Sequence, residues 1–240
     1  MIRRTKADRP DEKGTSLPPR ELLEKVFDLL EELWHRERDS RHPDPFSEPL
    51  DGLILTVLSQ NTNDVNRDRA FGRLKKRYPT WKDVASASVE SVADAIRPAG
   101  IANNKAARIG EILALIVDDF GAHSLKALAR WEPTRARAYL EALPGVGPKT
   151  AACVLLFDLG MAAFPADTHV SRLCRRLGWV PENMPPGEIQ SVMEEALPPS
   201  RYMGAHLNLI EQGRHLCRAR SPLCGDCPLR PHCAYGRGVA

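Results

Sequence analysis

No stretch of this chain approaches the roughly 20 consecutive apolar residues that a membrane-spanning helix requires, which argues against a membrane protein. The opening segment, MIRRTKADRPDEKGTSLPPR, carries charges where a secretory signal would hold its apolar core, so the chain is expected to stay in the cytosol. Internal repeats are also missing, and so is any convincing strand pattern. Val154 to Phe157 is apolar enough for a strand, but it continues a helix opened by Pro148 and stopped by Gly160. Charge of one sign is barely in excess: Lys and Arg number 34 against 31 Asp and Glu, so net charge alone argues weakly for a nucleic-acid partner. Apolar content is sufficient, since 42% of 240 residues can bury the core of one domain or of two small ones.

What remains is helical in pattern, and the fold class expected is all-α. Residues 1–17 are charged, contain Gly and Pro and show no apolar period, so they read as a disordered basic tail. From Pro18 onward Leu22, Leu23, Val26, Phe27, Leu30, Leu33 and Trp34 mark the stripe of an amphipathic helix. Further helices are expected near 48–60, 64–77, 88–96, 104–120, 124–130, 133–142, 148–159, 168–177, 187–196 and 200–216. Punctuation supports the breaks: Thr80 before a short turn, Gly121 and Gly160 after apolar runs, and Gly178 after a basic last turn.

Of six cysteines, Cys153 and Cys174 fall inside helical stretches and read as buried apolar residues. The other four, Cys217, Cys224, Cys227 and Cys233, are spaced C-x6-C-x2-C-x5-C. Thiolates so close along one loop can surround a single metal centre, and a bound group would stand in for the core that so short a loop lacks. Zinc sites usually show two short C-x2-4-C pairs on either side of a longer arm, whereas here one x2 pair lies between arms of six and five. The spacing favours a 4Fe-4S cluster; zinc and two disulfides are the alternatives. Around it, from Gly213 to Gly238, Arg214, Arg218, Arg220, Arg230 and Arg237 with His215 and His232 face the lone acid Asp226, a patch suited to phosphates.

Two further motifs carry chemistry. In Leu143-Pro144-Gly145-Val146-Gly147-Pro148 two glycines let the backbone turn and approach a ligand closely, and Pro148 suits a first helical position. The expected result is an exposed row of amides at Gly145, Val146 and Gly147, fit for a DNA phosphate and blind to sequence. Lys149 then sits in the first helical turn, where the dipole disfavours a protonated amine and so favours a nucleophilic one. Asp167, ahead of Thr168-His169-Val170, reads as a helix N-cap whose carboxylate could also stabilise developing positive charge.

These three stretches, LPGVGPKTA, ADTHV and the cysteine loop, resemble in content and order the endonuclease III family of helix-hairpin-helix DNA glycosylases. The resemblance runs from about Pro18 to the end. It implies two domains: an iron-sulfur cluster domain of residues 18–39 and 161–240, and a six-helix barrel of residues 40–160 carrying the hairpin, with the active cleft between them. It also implies a bifunctional glycosylase and AP lyase that excises oxidised pyrimidines, with Lys149 as the Schiff-base nucleophile and Asp167 as the catalytic aspartate. Ser59-Gln60-Asn61-Thr62 resembles the loop whose amide side chain fills the gap left by a flipped nucleotide, a role for Gln60 or Asn61. Ile101 matches the apolar wedge of a second loop, and His169, Arg218 and Arg220 complete the DNA-facing set. The expected partner is double-stranded DNA with damaged bases or abasic sites, bound by a monomer. Adenine glycosylases would need a glutamate where Thr56 stands; a mismatch thymine or uracil glycosylase and a non-enzymatic DNA-binding iron-sulfur protein are the remaining alternatives.

Overall fold

The computed structural model describes residues 17–35 and 48–238, and among these every regular element is helical. Most of the tail expected to be disordered, and the junction expected near residues 39 and 40, lie outside the described residues. No helix among the described residues is long and apolar enough to cross a membrane. The chain divides into two compact units, one of Met1–Arg41 with Ala162–Ala240 and the other of His42–Met161.

The middle unit is built around α2, Pro49–Ser59, whose Leu50, Leu53, Ile54, Val57 and Leu58 are all fully buried. A helix this rich in apolar residues must be largely enclosed, and here α3 (Asp64–Arg77), α6 (Ala102–Phe120) and α8 (Pro148–Cys153) pack against it. Glu48 caps α2 by accepting from Leu50 N at 3.2 Å, and it also accepts from Ser124 Oγ at 2.6 Å and Leu125 N at 2.9 Å. α4 (Trp81–Ser86) is a short helix where the sequence suggested only a turn. It forms because Thr80 and Asp83 make a reciprocal capping box. α5 (Val89–Ala95) and α7 (Pro133–Ala142) complete the set. The helix expected over 148–159 is α-helical only to Cys153; one π turn, Val154–Asp158, follows and ends before Gly160 at φ 64°.

In the other unit α1, Arg20–Trp34, lays Leu23, Val26, Phe27 and Leu30 against α11, Tyr202–His215. α9 (Thr168–Leu177) packs on α11, on α10 (Pro186–Ala196) and on α12 (Ala234–Gly238). Arg201, only 1% exposed, donates to Asp28 at 2.6 Å and Glu31 at 2.9 Å on α1, so a buried guanidinium joins the carboxyl-terminal helices to the first.

Candidate active site, DNA-facing loops and metal centre

The hairpin follows α7 directly. Gly145 has φ 68°, a conformation that favours glycine, and the Arg108 side chain occupies the space a Cβ would take. The row of free amides is shorter than expected. Val146 N donates to Leu143 O at 3.1 Å and its side chain is only 4% exposed, because the turn closes on itself; Gly145 and Gly147 remain exposed. Gly147 then caps α8, with Pro148 first and a half-buried Lys149 second in the helix.

Two loops of the same unit hold non-glycine residues in the left-handed region, Asn61 at φ 54° and Ile101 at φ 47°. Such a conformation is tolerable for asparagine and costly for a β-branched residue, and it is at functional loops that such strain tends to persist. Both are exposed, Ile101 by 56%. Gln60 is engaged instead: Arg108 Nη1 donates to its Oε1 at 3.1 Å, and its Nε2 donates to Gly145 O at 3.1 Å. Lys105, 3% exposed, donates to Leu58 O and Ala99 O, both at 2.8 Å, and burial pushes its pKa below the usual lysine range. Thr56 is half-buried on α2.

In the other unit Asp167 caps α9. Its Oδ1 accepts from His169 N and Val170 N, each at 2.8 Å, and among the described residues no hydrogen bond reaches Oδ2. His169 is held below its ordinary pKa, first by burial and then by the guanidiniums of Arg172 and Arg214, with Asp167 pulling the other way. Arg172 Nη2 lies 3.1 Å from His169 Nδ1, and since arginine can only donate, that contact needs the Nδ1 lone pair free. The same guanidinium donates to Gly213 O at 2.8 Å and Cys217 O at 3.0 Å. One side chain thus ties the start of α9 to the first cysteine of the loop.

Cys217, Cys224, Cys227 and Cys233 line one cavity, with Leu216, Leu223 and Tyr235 among its apolar walls. Burial, then the neighbouring thiols, raises the pKa of Cys227 and Cys233, so free thiolates would be disfavoured there without a cation. Among the described residues no three His, Cys, Asp or Glu side chains are arranged to hold a single metal ion, and no disulfide joins the four. Four thiols around one apolar cavity supply the all-sulfur donor set that an iron-sulfur cluster uses. Donors to sulfur are in place as well: Arg176 Nη1 to Cys217 at 3.3 Å, Gln212 Nε2 to Cys227 at 3.2 Å and Gly236 N to Cys233 at 3.3 Å. Trp34 Nε1 donates to Gln212 Oε1 at 3.0 Å and so fixes which end of that amide meets the sulfur. Arg218 and Arg220 are exposed on the loop, Arg218 donating to Ser221 O at 3.4 Å.

Arg108, Lys105, Arg172, Arg176 and Gln212 had no sequence signal. Their partners lie 15 to 48 residues away and, for the Trp34 that holds Gln212, 178, separations at which no local motif registers.

Comparison with known proteins follows the same two parts of the chain. Residues 54–199 match the model of the HhH-GPD superfamily of base excision DNA repair proteins, and residues 217–233 match the iron-sulfur binding domain of endonuclease III. Endonuclease III of Thermotoga maritima is 36% identical over 88% of this chain and 93% of its own length. That of Escherichia coli K12 is 31% identical over 88% of this chain and 96% of its own. The structure of a trapped endonuclease III-DNA covalent intermediate superposes with a TM-score of 0.79 at 28% identity, covering 92% of this chain and 98% of that one. With hairpin, helix cap and cysteine loop all in place, this chain belongs to the endonuclease III family of base excision repair enzymes, DNA glycosylases and AP lyases that carry a 4Fe-4S cluster.

Proposed function

We propose that Lys149 and Asp167 carry the reaction and that the substrates are oxidised, ring-saturated pyrimidines such as thymine glycol in double-stranded DNA. In this reading a cytosolic monomer extrudes the damaged nucleotide, because C1' cannot be reached while the base is stacked. The glycosidic C1'-N bond breaks with its electron pair leaving on the base, which takes up a proton. Oδ2 of Asp167, left over once Oδ1 has capped α9, stabilises the positive charge that develops on the sugar. Neutral Lys149 Nζ bonds to C1', and loss of its proton and opening of the C1'-O4' bond leave a Schiff base. Removal of a C2' proton then expels the 3' phosphate by β-elimination.

The observation that carries this reading is Lys149 in the first turn of α8, directly after the Gly145 to Gly147 hairpin. The solved relative, described as a trapped covalent intermediate with DNA, supports it. Thr56, where adenine-releasing enzymes need a carboxylate, supports the pyrimidine branch. Ring-saturated bases have lost stacking, so their extrusion costs less than that of a normal base. The cluster would be held by Cys217, Cys224, Cys227 and Cys233 and would supply structural closure of the loop on which the arginines sit.

Borohydride should trap wild-type protein on DNA containing thymine glycol or an abasic site. Lys149→Gln should bind such DNA and give no trapped species; undiminished trapping would place the nucleophile elsewhere. Faster release of adenine opposite 8-oxoguanine than of thymine glycol would overturn the substrate.

A further inference from the structure

The two amides at the end of α2 are not equivalent, and the difference lies on α6. Lys105 and Arg108, three residues apart, share one face of that helix near its start. Lys105 holds Leu58 O, three residues before Asn61, and Ala99 O, two residues before Ile101. Arg108 lies across Gly145, where no Cβ intrudes, and donates to Gln60, which in turn donates to Gly145 O. Gln60 therefore has both ends of its amide committed. Entering a duplex would strip a carbonyl and a guanidinium of their partners. Asn61, exposed and in the left-handed region, has no side-chain bond of this kind among the described residues.

We propose that Arg108 and Gln60 are positioning residues that lock the α2-α3 loop onto the hairpin, so that Asn61 and not Gln60 is delivered into the gap left by the extruded nucleotide. The proposal rests on the reading of that loop and the hairpin as DNA-facing. Its consequence is mechanical. With Lys105 fixing the roots of both strained loops and Arg108 fixing the hairpin, the gap filler, wedge and phosphate-facing turn form one preorganised frame.

The test uses the full-length, cluster-loaded enzyme and a duplex with 2-aminopurine beside a single thymine glycol, so that fluorescence reports extrusion. Asn61→Ala, Gln60→Ala and Arg108→Met should each slow extrusion about tenfold, the scale of one hydrogen bond to a charged group. The double variant Gln60→Ala/Arg108→Met should be no slower than either single one, and Arg108→Lys, which keeps a donor, should recover part of the rate. Unchanged extrusion in Gln60→Ala and Arg108→Met beside a slow Asn61→Ala would overturn the strut and leave the DNA-facing reading standing. A slow Gln60→Ala with a wild-type Asn61→Ala would make Gln60 the gap filler and overturn the proposal. Wild-type rates in all three would refute the DNA-facing reading and the strut together. Were Arg108→Met not to fold, Gln60→Ala, at a partly exposed loop position, carries the same test.

Discussion

Asp158 offers the sharpest quantitative prediction. It closes the π turn after α8, and its carboxyl lies against Gly52 of the buried α2, where any Cβ would collide with it. Burial first, and then the nearby charge of Asp51, pushes its pKa from 3.8 up to about 7. Asp51 is itself held by Lys75 at 3.2 Å and by Trp81 Nε1 at 2.7 Å. A carboxyl whose pKa is raised on folding keeps a proton that the unfolded chain has already released. Stability therefore falls as pH rises between roughly 4 and 7, and the deficit is complete above that window. About three pH decades at about 1.4 kcal/mol each set an upper bound of ~4 kcal/mol, which partial exposure reduces to roughly 3. Asp158→Asn keeps the shape and removes the titration. Its advantage over wild type should grow from near pH 4 to pH 8 by roughly 3 kcal/mol, about 6 to 12 °C in unfolding temperature. Melting curves of the cluster-loaded protein at matched ionic strength would measure it. A difference between the two proteins that is the same at pH 4 and pH 8 would refute the argument, since only a titrating group can make it vary.

Arg201→Ala should lower unfolding stability by about 2 kcal/mol, because it empties a buried site and removes charge-assisted hydrogen bonds to Asp28 and Glu31; an unchanged denaturant midpoint would show that they contribute nothing. Cys224→Ser should lose the yellow-brown colour and most bound iron and weaken DNA binding at the same time, whereas stoichiometric zinc in iron-replete wild type would refute the cluster. If side-chain cations such as Arg218 and Arg220 neutralise about four phosphates, log K should fall against log salt with a slope of roughly −3.6, and a flat dependence would count against this face.

Much of this was legible in the sequence because its causes are local. Asp167 caps α9 through amides two and three residues on, Gly178 ends that helix at φ 82°, and the four cysteines lie within one loop, so spacing alone carries their chemistry. Side-chain periodicity likewise marked α1, whose stripe packs on α11. Capping was harder to read where it is reciprocal, and α4 passed for a turn. Tertiary structure alone decided the rest. Whether Gln60 or Asn61 is free depends on Arg108 and Gly145, 48 and 85 residues further along the chain. The closing of the hairpin on Val146 and the pressing of Asp158 onto Gly52 arise in the same way. Sequence pattern records what a residue does to its neighbours along the helix, whereas the capture of Gln60, and not the adjacent Asn61, by a distant guanidinium exists only once the helices have packed.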